Sequence, residues 1–94
     1  MDMGPITALR AHFECGAVRD LAVRRAALKK FRASILRHEE ALLAAMHTDM
    51  RKPRFEAYLS DIGLVIGALD QALRELHTWA APQAVPTPLA LQLA

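Results

Sequence analysis

Apolar positions recur at three- and four-residue spacing along three stretches of this chain, each closed by a residue that stops a helix. Pro5 stands where a first helical turn tolerates a missing N–H, and Ile6, Leu9 and Phe13 follow on one side until Gly16. A short first helix is predicted. Asp20 suits the N-cap of a second helix, and no glycine or proline interrupts Leu21 to Met50. Leu21, Leu28, Ile35 and Leu42, with Phe31, Leu43 and Met46, share one face, so one unbroken helix of about 45 Å is expected at about 1.5 Å per residue. Pro53 disfavours the α conformation at Lys52, so this helix should end near Met50 to Lys52 and a third begin at about Pro53. The third has the cleaner stripe: Phe55, Tyr58, Leu59, Ile62, Ile66, Leu69, Leu73 and Leu76, with Asp70, Arg74 and Glu75 on other sides. The short joint predicts antiparallel packing of these two helices.

Several residues break the pattern. Arg24, Arg32 and Glu39 fall inside or beside the apolar arc of the second helix, so their heads are expected to pair across the joint, the arginines with Glu56 or Asp61. Phe31 is expected to face the core. Gly63, Leu64, Val65, Gly67 and Ala68 are apolar or small residues off the stripe of the third helix. Each interior glycine costs about 1 kcal/mol relative to alanine, which predicts that another backbone comes close. No remaining stretch of the chain is suited to supply it.

After Trp79 the run Ala-Ala-Pro-Gln-Ala-Val-Pro-Thr-Pro cannot continue a helix, and Leu89, Leu91 and Leu93 then alternate with Ala90, Gln92 and Ala94. That alternation predicts a strand without a partner. The expected organisation is a helical segment over residues 1–81, then a proline-rich linker and the start of an unpaired strand over 82–94. It is the outline of an incomplete domain.

Composition narrows the function. Ninety-four residues, 53% of them hydrophobic, allow one small domain. The formal charge of +2 is too small to indicate a nucleic-acid binder, although Arg19, Arg24, Arg25, Lys29, Lys30, Arg32 and Arg37 cluster with Asp20 as their one acidic neighbour. The apolar residues interleaved with that cluster read as core, with Phe31 facing it instead of forming a stacking platform, and binding to a membrane surface would compete with helix packing. Cys15 has no internal disulfide partner, which suits a reducing, cytoplasmic setting. No basic leader opens the chain and no apolar run approaches the roughly 18 residues of a membrane span, so neither secretion nor insertion is expected.

No motif carries catalysis. Cys15 closes a helix, where a thiolate gains little, and it reads as an inert small residue. His12, His38, His47 and His77 form no i, i+4 pair and no HExxH motif, and adjacent Glu39 and Glu40 project in different directions. GxGxxG, Walker and GxSxG loops are absent from the sequence. Catalytic, cofactor-binding and metal-binding residues are accordingly all expected to be none.

Four stretches, in order and without large gaps, nevertheless carry a family likeness. They are Leu9-Arg10-Ala11-His12-Phe13 with Gly16; Arg24-Arg25-Ala26-Ala27-Leu28-Lys29-Lys30-Phe31; Asp49-Met50-Arg51-Lys52-Pro53 leading to Phe55-Glu56-Ala57-Tyr58 and Asp61-Ile62; and Trp79 with Val85-Pro86-Thr87-Pro88-Leu89. Through them the chain resembles the N-terminal segment of the aldehyde dehydrogenase superfamily, in the class-three-like branch that includes fatty and coniferyl aldehyde dehydrogenases. The resemblance implies a mainly α piece of a larger Rossmann-like α/β enzyme that uses NAD or NADP. Such enzymes work through a cysteine thiohemiacetal, hydride transfer and thioester hydrolysis, with the nucleophile, the general base and the cofactor loops downstream of this segment. Cys15 does not match the context of that nucleophile. Implied partners are the remainder of the dehydrogenase chain and, in the complete enzyme, a second copy in a homodimer. The third helix would lie toward the substrate entrance, with Ser60 and Leu64 shaping access. Leu93 departs from the proline-like residue usual after such a strand, which allows a truncated or frameshifted product. The rival reading is a free-standing helical interaction module that binds a protein partner through Leu64, Val65 and the leucine tail. A downstream reading frame with a Gln-x-Cys segment would favour the dehydrogenase.

Overall fold

In a computed structural model, which describes residues 3–93, the chain folds as an antiparallel helical hairpin with a short leading helix. Met1, Asp2 and Ala94, the last of which belongs to the expected strand alternation, lie outside the described residues. Helix α1 (Gly4–Glu14) starts around Pro5, and Gly16 turns the chain with a φ of 77° that suits a residue without a Cβ. Helix α2 (Leu21–Arg37) is capped by Asp20, whose Oδ1 accepts from the Ala22 N–H at 2.9 Å.

The expected single helix from Leu21 to Met50 is corrected at His38. The backbone there leaves helical geometry (φ −101°, ψ 13°), and α3 (Glu39–Met50) continues beyond the break. His38 Nδ1 lies 2.8 Å from the Ser34 carbonyl oxygen, which also accepts the His38 backbone N–H. A side chain competing for a carbonyl of the helical ladder is a known cause of kinks. The long helix is therefore two shorter ones that can meet different partners.

The joint forms where Pro53 predicts it. Arg51 takes the left-handed conformation (φ 56°) and its N–H closes on the His47 carbonyl, while extended Pro53 opens α4 (Arg54–Ala57). One π-helical turn follows over Tyr58–Ile62, then α5 (Gly63–Ala80). Antiparallel packing is visible in the pairings. Arg25 Nη1 donates to the Leu73 carbonyl at 3.0 Å, Arg32 reaches Asp70, and Leu43 packs with Ala57. Positions early in one arm meet positions late in the other.

The core sits at the joint. Leu43, Ala57 and Ile62 are its buried members, with Ala57 wholly excluded from solvent, and Ile35, Met46 and Ile66 pack against them. Leu69 is buried further along α5. The expectation for Phe31 is corrected, since its side chain is 54% exposed beside this core. The apolar face of α2 is wider than the contact α5 makes with it.

The two glycines separate. A Cβ on Gly63 would stand 3.0 Å from the Tyr58 carbonyl oxygen, to which the Gly63 N–H donates. The close backbone is thus the helix's own, brought near by the π turn. A Cβ on Gly67 would meet nothing within 4 Å.

The strand expected at the C-terminal end is also corrected. Leu89–Gln92 forms a short helix, α6, after Pro88, and Gln92 Nε2 donates to the Thr87 carbonyl at 2.8 Å. No strand occurs among the described residues. Without a neighbouring ladder, local hydrogen bonds satisfy the backbone better than an isolated extended segment does.

The molecule is long and open, with extents of 63 × 33 × 25 Å and a radius of gyration of 19.9 Å. A close-packed chain of this length would have a radius near 12 Å. Its accessible surface is 7818 Å², against about 5,400 Å² for a compact monomer of this mass.

Two consequences for stability can be measured by urea unfolding followed by circular dichroism. Leu43→Ala should cost about 2–4 kcal/mol and uncouple the two arms. Gly67→Ala should add about 0.5–1 kcal/mol, whereas Gly63→Ala should destabilise, because the atom it meets is backbone.

Candidate functional site

Polar side chains gather around the joint because Pro53 folds two charged helix ends together. Lys52 Nζ donates to Asp61 Oδ2 at 2.7 Å, and the Ser60 hydroxyl reaches the same carboxylate at 3.1 Å and the Glu56 carbonyl at 2.8 Å. On the outer side Arg54 grips both oxygens of Glu40. Along the hairpin Arg32 Nε donates to Asp70 Oδ1 at 2.7 Å.

These partners differ in part from expectation. Arg32 pairs across the hairpin as predicted, but with Asp70, because α2 lies against α5 and Asp61 sits back at the joint beside Lys52. Arg24 does not reach an acid of the third helix; its Nε donates to the Val18 carbonyl at 2.6 Å. The Arg54–Glu40 pair was not legible in the sequence. Its signal was indirect, since an acid in the first turn of α3 is brought beside the start of α4 once the joint closes.

The three carboxylates of these pairs are held below their usual pKa. The hydrogen bond from Lys52 lowers Asp61, that from Arg32 lowers Asp70, and that from Arg54 lowers Glu40. Carboxylates tied to cations in this way remain ionised at neutral pH and are poor proton carriers. They hold helices together.

Other candidate groups are scattered. His12, His38, His47 and His77 are exposed on different elements, and exposed Cys15 donates its thiol to the His12 carbonyl at 3.0 Å. Among the described residues no three His, Cys, Asp or Glu side chains converge in a way that could hold a metal. A dinucleotide requires a strand, a glycine-rich turn and a helix N-terminus in succession, and the described residues contain no such unit. No described helix is long and apolar enough to cross a membrane.

What the surface offers instead is apolar. One groove of about 420 Å³ runs between α2–α3 and the π turn, lined by Phe31, Ile35, Leu42, Met46 and Val65 among others. A second, of about 450 Å³, continues from Phe31 past Leu28 and Val23 to Leu76. Leu64 is 65% exposed, and Trp79 and the leucines of the tail are also largely exposed. Ser60, predicted to shape an entrance, is exposed with its hydroxyl bonded as described above.

Comparison with known proteins shows what this chain is similar to. No family model matches the chain. It is 34% identical over 82 residues to 4,4'-diaponeurosporen-aldehyde dehydrogenase of Staphylococcus aureus, covering 87% of this chain and 18% of that protein. Aldehyde dehydrogenase family 3 member H1 of Arabidopsis thaliana is 32% identical over 84 residues, 89% of this chain and 17% of the relative. A dog enzyme named aldehyde dehydrogenase, dimeric NADP-preferring, is 32% identical over 76 residues, 81% of this chain and 17% of its own length. The chain belongs with the aldehyde dehydrogenases, as a segment similar to their N-terminal part and with family 3 members among its relatives. It spans less than a fifth of the length of these relatives.

The ion pairs predict a direction with pH. A carboxylate whose folded pKa lies below its unfolded value stabilises the fold above the unfolded value, and that contribution disappears as pH falls through the folded one. Helicity should therefore hold near neutrality and decline below about pH 4, and Asp70→Asn should flatten that decline in a circular-dichroism titration.

Proposed function

We propose that this segment is the N-terminal scaffold of an NAD(P)-dependent aldehyde dehydrogenase that oxidises aldehydes to carboxylic acids, and that it has no catalytic activity alone. The observation that supports this most is the union of a family likeness along nearly the whole chain with a core confined to the joint. A hairpin with such open apolar sides suits an element that lies on a larger body. The remainder of the dehydrogenase chain supplies the nucleophile, the base and the dinucleotide site. Exposed Gly67 then marks where a backbone of that body approaches, and Ser60 and Leu64 lie toward the substrate entrance. The complete enzyme is read as cytoplasmic and as a homodimer, the latter in keeping with the dog relative, which is named as dimeric.

The chemistry left to these residues is positional. Arg32–Asp70 and Lys52–Asp61 fix the angle between the arms, and so the shape presented to the catalytic body. Arg54–Glu40 is more exposed on both partners and contributes less.

The test supplies the segment to a family 3 relative lacking its own matching part. The isolated chain should produce no reduced NAD or NADP from an aldehyde, whereas fusing it to the shortened relative should restore soluble, active enzyme. Dehydrogenase activity from the chain alone would refute the scaffold role. A fusion that stays inactive while the relative's own segment restores activity would favour the interaction module.

A further inference from the structure

We propose that the outer side of the joint is a binding site for an arginine side chain carried by a partner protein, built from the Glu39 carboxylate and the rings of Phe55 and Tyr58. The inference does not rest on the dehydrogenase reading. It starts from Glu39, which the sequence places beside the apolar arc and expects to pair across the joint. Among the described residues Glu39 has no hydrogen-bond or ion-pair partner, although it is only partly accessible. Arg54 is attracted to it, yet gives its hydrogen bonds to both oxygens of Glu40. Two carboxylates thus share one guanidinium, and the one left over is Glu39.

That carboxylate lies along a groove of about 350 Å³ whose other walls are Leu43, Arg54, Phe55 and Tyr58. None of these residues lines either of the apolar grooves along α2. Phe55 belongs to the stripe predicted to be buried, but it is 76% exposed, and Tyr58 is 40% exposed. The cause is local. Ala57 takes the buried side of α4, and a residue two positions earlier lies about 200° round the helix from it. Two aromatic rings therefore stand in solvent beside a carboxylate that nothing in the chain neutralises directly.

The lining selects the occupant. A purely apolar group would strip water from Glu39 and return no hydrogen bond, which is unfavourable. An ammonium meets the carboxylate as a compact, strongly hydrated charge and gains less from the rings. A guanidinium serves both walls at once, because its flat face stacks on an aromatic ring while its N–H fork matches a carboxylate. The groove is shallow and bounded by two helix ends, so a free small molecule would be held on few sides. An arginine tethered to a segment that crosses the joint arrives at the effective concentration of that segment.

Nuclear magnetic resonance titration of the isotope-labelled 94-residue chain, with circular dichroism as a check on helicity, decides the matter. Nα-acetyl-arginine methylamide should bind saturably in the millimolar range, with the largest shifts at the amides of Glu39, Phe55 and Tyr58. Glu39→Gln should weaken binding about tenfold or more and Phe55→Ala about threefold or more. Helicity should stay unchanged in both, since the Glu39 carboxylate bonds to nothing in this chain and the Phe55 ring already stands in solvent. The citrulline analogue, which keeps the shape and loses the charge, and the lysine analogue should each bind about fivefold or more weakly than arginine. The same arginine set within a short alanine and serine peptide should bind at least as tightly as the free analogue. Shifts that do not saturate by about 100 mM, citrulline bound as well as arginine, or binding indifferent to Glu39→Gln each overturns the site. Lysine bound as tightly as arginine overturns the assignment to a guanidinium. A peptide excluded where the free analogue binds overturns the protein partner.

Discussion

The packing of Leu43 against Ala57 and Ile62 is the contact on which the rest of the hairpin depends. Ala57 is wholly buried where α3 and α4 meet, so its small side chain sets how closely the two arms approach. Pro53 makes that meeting possible by ending one helix and starting the next within a few residues, and left-handed Arg51 completes the reversal. The pairs Lys52–Asp61 and Arg54–Glu40 then flank the joint, one beside the core and one in solvent. A residue larger than alanine at position 57 would push the arms apart and separate both pairs.

Away from the joint, contact between the arms thins. The break at His38 lets α2 follow α5 while α3 follows α4, with Arg32–Asp70 and the Arg25 bond to the Leu73 carbonyl tying the outer part together. These are bridges across a partly open seam, and they leave Phe31, Leu42 and Val65 accessible. A chain built this way has its rigidity at one end and its sticky surface along the sides. The exposed apolar sides lie along the stretch that is similar to aldehyde dehydrogenases.

The ion pairs of the hairpin have one physical origin. Glu40, Asp61 and Asp70 are each brought beside a cation by the folding of the hairpin, which lowers their pKa and keeps them ionised at neutral pH. The same residues at the same spacing on a straight helix would be an ordinary solvated face.

Sequence alone determined the helical character, the Asp20 cap, the reversal at Pro53 and the stripe of the third helix, because capping, proline geometry and three-and-four periodicity act within a few residues. It also carried the family likeness. Tertiary structure decided what depends on neighbours distant along the chain. Arg32 chose Asp70 because of how α2 lies on α5, Phe31 stayed in solvent because α5 covers too little of α2, and Gly63 answered to a π turn in its own helix. The tail, written as alternating leucines, became a short helix because a strand exists only where another strand accepts its hydrogen bonds.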